Sequence, residues 1–404
     1  MEEKSAVVAG HICLDIFPGL DHLPPGGLEK LFQPGHLLTV GPAFVSTGGP
    51  VSNTGLALHT LGISTRLMGK VGADLFGQAV RDIISAYSPN LAEGMLVDPT
   101  ASTSYTVILS FPGEDRIFMH HPGANDTYCA DDINYTLVAQ ADLFHFGYPP
   151  VMRRMYSEEG GELAEVFRRA KAARPSGGLL TALDLTFPDP ATPGGQADWP
   201  AILCRALPYV DIFLPSIEEL LFMLHRRQYD ALLQSSQTGS PLEAVTPGLL
   251  HSVSSELLEM GVKVAVIKLG GRGLYLRTAA REALEPLAVS LDVAAWSGKE
   301  MWAPCFKVNV IGTTGAGDAT IAGFLSGLLR GLSPTETMTM AEAVGACNVE
   351  AVDALSGICS WEATHTRVQS GWPRRELRLD APGWEWDSVH SLWVGSVDSI
   401  FPLP

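Results

Sequence analysis

Short apolar runs alternate with amphipathic stretches along most of this 404-residue chain, and their spacing predicts strands followed by helices. Residues 5–16 read as an opening strand, and 36–47 as a second that runs into Gly48-Gly49-Pro50. Pro50 suits a first helical position, and Leu56, Leu58 and Leu61 supply an apolar face before Gly62 stops the run. Strands at 64–70, 142–147, 179–185 and 210–214 then alternate with helices at 74–87, 158–173, 199–206 and 216–226. Strands 263–268 and 273–277 and helices 318–331 and 335–353 complete the series. These are βαβ spacings, which favour an α/β fold on a parallel sheet.

Three segments break the alternation. Residues 102–111 and 116–121 flank the turn-rich Pro112-Gly113-Glu114-Asp115 and predict a hairpin, standing off the main sheet as a lid with parts of 13–47. Residues 228–250 and 279–300 read as surface excursions. The expected organisation is one large domain over 1–357 and an extension over 358–404. That extension holds Trp361, Trp372, Trp384, Trp386 and Trp393 beside Arg374-Arg375-x-x-Arg378, and is expected to pack on the core or on a partner.

Composition narrows the function. A hydrophobic fraction of 46% allows a large core and excludes a disordered chain. A net charge of −17 repels nucleic acid and anionic membranes, so an anionic substrate needs a local site of amides or cations. The apolar runs are too short to span a bilayer. The cysteines Cys13, Cys129, Cys204, Cys305, Cys347 and Cys359 form no C-x-x-C pair, which suits reduced thiols. Two acids precede the first apolar run, unlike a secretory signal, so the expected compartment is cytoplasmic.

The chemistry concentrates at Gly315-Ala316-Gly317-Asp318, a glycine-rich turn that delivers a carboxylate onto the first turn of a helix. Glycines let the backbone approach a ligand, and amides at a helix start attract anions. Asp318 beside a bound phosphate would serve as a base toward a hydroxyl; an aspartate that merely caps the helix would read the same here. Neither a P-loop nor a complete G-x-G-x-x-G occurs. Asp15 at the end of a strand could accept hydrogen bonds from vicinal hydroxyls. Gly48 and Gly49 allow close approach, with Asn53 pointing from the next helix, while Asp74 reads as an N-cap. Lys268-Leu269-Gly270-Gly271-Arg272-Gly273 would shelve a nucleotide, or form an ordinary hairpin.

In this order, the segments resemble the ribokinase (PfkB) family of carbohydrate kinases over roughly residues 5–357, most specifically at 310–324. The resemblance implies a doubly wound, mainly parallel sheet flanked by helices, a small β-sheet lid, ATP as donor and Mg2+ on its phosphates. It also implies roles. Asp318 matches the base, and the amides of Gly315, Ala316 and Gly317 the anion hole. Asp15, Gly48, Gly49, Asn53 and Asn125 match sugar contacts. Ser216, Lys268, Gly270, Gly273 and Thr313 fall where the nucleotide binds, and Glu219 where a carboxylate serves magnesium.

Four positions depart from the pattern. Gly312 stands where the family has an acid that helps to bind a monovalent cation. Ser216-Ile217-Glu218-Glu219 replaces Asn-x-x-Glu, Pro50 replaces a lysine of ribokinase, and an acid that ribokinase uses for its sugar would fall near Gly147. The expectation is therefore ATP-dependent phosphorylation of a hydroxyl on a sugar or sugar-like molecule, without potassium activation. The alternatives are a nucleoside kinase of the same family and a non-catalytic sugar or nucleotide sensor. Unpaired lid edges would allow a homodimer. His120 and His121 should face opposite ways, and Arg116 on the lid is either a phosphate contact or a solvated charge.

Overall fold

The structure is a computed structural model that describes residues 4–20, 34–35, 37–110, 117–236 and 239–395. The strands in chain order begin with β1 (Ser5–Gly10), β2 (Cys13–Gly19), β3 (Gly41–Gly48), β4 (Ser64–Gly72) and β5 (Met95–Asp98). Next come β6 (Tyr105–Leu109), β7 (Ile117–His121), β8 (Leu143–Gly147), β9 (Leu180–Asp184) and β10 (Ile212–Phe213). The last are β11 (Val264–Lys268), β12 (Leu274–Thr278), β13 (Glu300–Ala303), β14 (Trp384–Asp387) and β15 (Leu392–Gly395).

They form an 11-stranded sheet, ordered β14-β15-β13-β12-β11-β10-β9-β8-β1-β4-β5, and a 4-stranded sheet, β3-β2-β6-β7. From β5 to β11 the large sheet pairs in parallel, whereas β11 to β14 pair antiparallel. Strands β8 and β9 are buried throughout, as parallel strands covered on both faces must be. Helices supply that cover. In Gly161–Ala173 the buried Leu163, Val166, Phe167 and Ala170 recur at helical spacing. The Ala316–Leu329 helix is buried along nearly its whole length, packed against Pro334–Asn348 and Pro50–Thr60.

The expected opening strand divides between the two sheets. At Gly10 the backbone takes φ 123, and an added Cβ would lie 2.4 Å from the Gly147 carbonyl oxygen. Residues 13–19 therefore leave the main sheet for the lid, whose other strands are β3, β6 and β7. The hairpin tip at 112–115, with Arg116, lies outside the described residues.

The two expected excursions hold regular structure: helix Arg226–Ser235 and the start of Pro247–Glu259 in the first, and the short helices Arg281–Leu284 and Val293–Trp296 in the second, with β13 beginning at Glu300. Beyond 358, β15 pairs with β13 through Met301↔Val394 and Trp302↔Trp393, and helix Trp361–Gln369 packs on Pro334–Asn348. The cysteines are free thiols. Among the described residues no helix is long and apolar enough to cross a membrane.

Candidate active site

Gly315 starts the helix that carries Asp318. It takes φ 70, and a Cβ there would lie 2.5 Å from that of Ala354, so only glycine makes this turn without strain. Asp318 follows in the first turn at 2% exposure. It does not cap the helix: Gly315 is the N-cap, and the Asp318 oxygens bond side chains far away in the chain. Asn53 Nδ2 donates to one oxygen at 2.9 Å, Thr54 Oγ1 to the other at 3.4 Å, and the Tyr148 hydroxyl approaches both at 3.0 and 3.1 Å. Burial raises the Asp318 pKa, opposed by the Asn53 bond, the Lys268 charge and the Tyr148 and Thr54 bonds.

The wall beneath the lid is packed just as closely. Asp15 on β2 lies against Gly48, where a Cβ would come within 2.2 Å of its Oδ2, so the glycine leaves room for the carboxylate. Burial pushes the Asp15 pKa up to about 6, against hydrogen bonds from Cys13 and Thr106. Gly49 has φ 84, and a Cβ there would meet His11 Nδ1 at 2.6 Å. His11 is buried with both ring nitrogens unpartnered, 5.1 Å from the His120 ring and 6.1 Å from that of Tyr148. Burial, then His120, lowers its pKa well below the usual value, so it is neutral. His120 bonds Thr106 at 3.0 Å and His121 bonds Ser102 at 2.9 Å, so the pair diverges.

Two expected sugar contacts have internal partners. Asn125 accepts from Ile12 N at 3.2 Å and donates to Ile12 O at 2.8 Å, so its amide fixes the backbone at Ile12. Asn53 holds Asp318 with its Nδ2, but its Oδ1 is buried without a partner and remains an acceptor. The departures at 50 and 147 touch each other. A Cβ at Gly147 would lie 2.5 Å from the Pro50 ring, so the proline occupies the space that a side chain at 147 would need.

On the other side of Asp318 lies a buried charge cluster. Lys268, at the end of β11, pairs with Asp184, at the end of β9, at 3.0 Å. Burial lowers the Lys268 pKa, but Asp184, Glu219 and Asp318 outweigh it and hold the lysine charged above its ordinary value. Asp184 is fully buried, its pKa raised by that burial, and its Oδ2 has no partner. Ser216 and Glu219 form a capping box at the start of Ile217–Leu224, with Ser216 N donating to Glu219 at 2.6 Å. Beyond Lys268 a cavity of about 570 Å³ opens, bordered by Gly270, Gly273, Thr313, Ala316 and Gly317. Thus Lys268, Gly270, Gly273 and Thr313 share one cavity with the start of the Asp318 helix, whereas Ser216 and Glu219 do not border it.

Sequence reasoning missed His11, Tyr148, Asp184 and Arg375, which also lines the cavity. Asp184 ends a buried strand as Asp15 was taken to do, and the same reading would have found it. Nothing local marks Tyr148, whose left-handed backbone (φ 64) aims it at Asp318. Among the described residues no group of three or more His, Cys, Asp or Glu is placed to hold a metal by itself.

The family model described as pfkB family carbohydrate kinase matches residues 30–359. Probable fructokinase-6, chloroplastic, of Arabidopsis thaliana is 28% identical over 339 residues, which cover 81% of this chain and 76% of that protein. Probable fructokinase-7 of the same plant is 25% identical over 378 residues, covering 91% and 93%. The solved structure of Arabidopsis thaliana ribokinase complexed with ribose and ATP matches with TM-score 0.65 at 18% identity, covering 90% of this chain and 98% of that one. The fructokinase with bound ATP from Xylella fastidiosa matches with TM-score 0.64 at 20% identity, covering 91% and 99%. The shared fold is the ribokinase one, with its large mainly parallel sheet and separate small sheet.

Proposed function

The chain belongs to the pfkB family of carbohydrate kinases, and from that premise we propose that it transfers the γ-phosphoryl group of ATP to a sugar hydroxyl, with Asp318 as general base. The observation that carries this reading is the position of Asp318, buried at a helix start between the wall under the lid and the cavity bordered by Gly317 and Lys268. ATP occupies that cavity, as supported by the neighbours solved with ATP.

Asp318 takes the proton of the hydroxyl, the freed oxygen bonds to the γ-phosphorus, and the bond from that phosphorus to the bridging oxygen breaks to release ADP. The amides of Gly315, Ala316 and Gly317, at a helix start without intrahelical acceptors, stabilise the charge on the transferring group. Ala316 N makes a long 3.3 Å contact to Thr313 O, which a phosphoryl oxygen replaces.

The donor set fits a magnesium ion carried largely by the phosphates, because such an ion needs only one or two carboxylates. The unpartnered Asp184 Oδ2 and the carboxylate of Glu219 would hold it, directly or through water. When bound, it neutralises charge on the phosphates.

On the sugar side, ionised Asp15 and Asn53 Oδ1 accept from substrate hydroxyls while His11 and the lid exclude water. Pro50 against Gly147 removes the lysine and the acid of the ribokinase pattern, so the pocket reads a sugar differently from ribokinase. Relatives named as fructokinases place fructose first in a test panel with ribose, glucose, inosine and adenosine. Asp318→Asn should lower kcat by about a thousand-fold on the best substrate and leave ATP affinity unchanged. Near-normal turnover in that variant would falsify the base assignment.

A further inference from the structure

The segment beyond the family match reaches the nucleotide cavity. Residues 372–375 run beside 305–307: Lys307 N donates to Pro373 O at 2.8 Å, and Arg375 N to Cys305 O at 2.7 Å. Trp372 stacks on Phe306 at 4.5 Å, and its Nε1 donates to Lys307 O at 2.9 Å. Arg374 lies over the same Phe306 ring at 4.4 Å and donates to Pro304 O at 2.7 Å and to Thr339 at 2.8 Å. The strap is therefore fixed in place, and Arg374 is fully engaged in fixing it.

Arg375 is held by its backbone alone. Its guanidinium has no hydrogen bond or ion pair among the described residues, and it lines the cavity with Lys268, Gly271 and Gly317. A Cβ at Gly271 would lie 3.0 Å from Arg375 Nη1, so the glycine leaves room for the guanidinium along the shelf. Lys307 also borders the cavity, and Lys268, the cation nearest Gly317, is already paired with Asp184. Glu342, a carboxylate in the same cavity, has its pKa pushed up to about 7 by burial, and the cation that opposes this is Arg374.

We propose that Arg375 is a nucleotide-binding residue which the extension adds to the family site, and that it pairs with phosphate oxygens of ATP. An unpaired guanidinium is a donor-only fork whose best partners are bidentate anionic oxygens. In a chain of net charge −17, a free cation facing an anion-ready helix start matches that ligand and opposes the general repulsion of polyanions. The extension thus takes part in catalysis through ATP affinity as well as closing the sheet edge at β13.

This inference rests on reading the cavity as the nucleotide site, and the experiment separates the two. Calorimetry on the full chain would give Kd for ATP, ADP and adenosine in wild type, Arg375→Ala, Arg375→Lys, Arg378→Ala and Lys268→Ala. Arg375→Ala should weaken ATP and ADP by about 10-fold or more, the scale of lost charge-assisted hydrogen bonds, and leave adenosine and the sugar KM unchanged. Arg375→Lys should recover part of the loss. Arg378, exposed and paired with Glu376, should be silent. Unchanged ATP affinity in Arg375→Ala, or an equal loss for adenosine, overturns the assignment. If Lys268→Ala weakens ATP while Arg375→Ala does not, only this inference fails; if neither does, the nucleotide reading of the cavity fails with it.

Discussion

The two sides of Asp318 differ in how much of their polar chemistry is already paired. Toward the lid, most polar groups are already paired with one another, Asp318 with Asn53, Thr54 and Tyr148, Asp15 with Cys13, and Asn125 with Ile12, and only Asn53 Oδ1 and the His11 ring nitrogens among the residues named there are left open. Toward the cavity, the Arg375 guanidinium and the Asp184 Oδ2 have no hydrogen-bond partner. On the proposed reading a sugar would exchange most of those internal hydrogen bonds for its own, with Asn53 Oδ1 an open acceptor, whereas the nucleotide would meet a free cation and a free carboxylate oxygen. An exchange of equals adds little affinity but orients what enters, so on the proposed reading the wall under the lid would set specificity.

Tyr148 tests that contrast most severely. Its hydroxyl donates to both oxygens of the proposed base, and this bond lowers the Asp318 pKa against the rise from burial. Tyr148→Phe removes the donor and keeps the ring against His11. With less support for the ionised form, the acidic limb of the kcat/KM profile should move to higher pH, and kcat/KM near that limb should fall by about 10-fold, the worth of one hydrogen bond to a charged group. ATP affinity should not change. A profile that keeps its limb and its height would show that Tyr148 leaves Asp318 in the working complex, and the wall would then be less preorganised than the fold implies.

How far the sequence announced this site depends on how local each device is. The turn at 315–318 was legible because positive φ, close packing and a helix start are all written in consecutive residues. Strand alternation predicted the parallel half of the sheet for the same reason. In the antiparallel edge β12 was legible as the strand at 273–277, but the rest was not: β13 is four residues long and sits at the end of a stretch read as an excursion, and β15, with β14 beside it, joins the sheet only through it. Tyr148 and Asn125 show a second limit. Their residue types signal polar chemistry, but whether an amide or hydroxyl faces a ligand or another part of the chain depends on contacts more than a hundred residues away, such as Ile12 with Asn125 and Tyr148 with Asp318.

Asp15 sharpens the same comparison through pH. Its pKa is raised to about 6, so it is ionised, and able to accept from two hydroxyls, only above that pH. As pH falls through about 6 the carboxyl takes a proton and loses acceptor capacity, so the sugar KM should rise, approaching about 10-fold per pH unit once the neutral form dominates. The KM for ATP, set across the cavity, should not follow. Asp15→Asn should flatten the sugar profile at the weaker level. Parallel rises in both KM values would place the titrating group elsewhere.

Gly312 gives the smallest expected effect, because it concerns a ligand rather than a wall. Its amide and that of Ile311 donate to Val349 O at 3.2 and 2.8 Å, and an added Cβ would lie 2.6 Å from Ala351 O and 2.8 Å from Val352 O. The acid that the family carries there has no room in this backbone. We expect turnover to be unchanged when potassium replaces sodium at constant ionic strength. Gly312→Asp should not create potassium activation; it should cost about 1–3 kcal/mol of stability in denaturant unfolding, the scale of overpacking against fixed carbonyls. Potassium activation of the unaltered chain would mean that carbonyl oxygens around 351–352 bind the cation without a carboxylate. The open side of Asp318 would then include a cation site that needs no acid at 312.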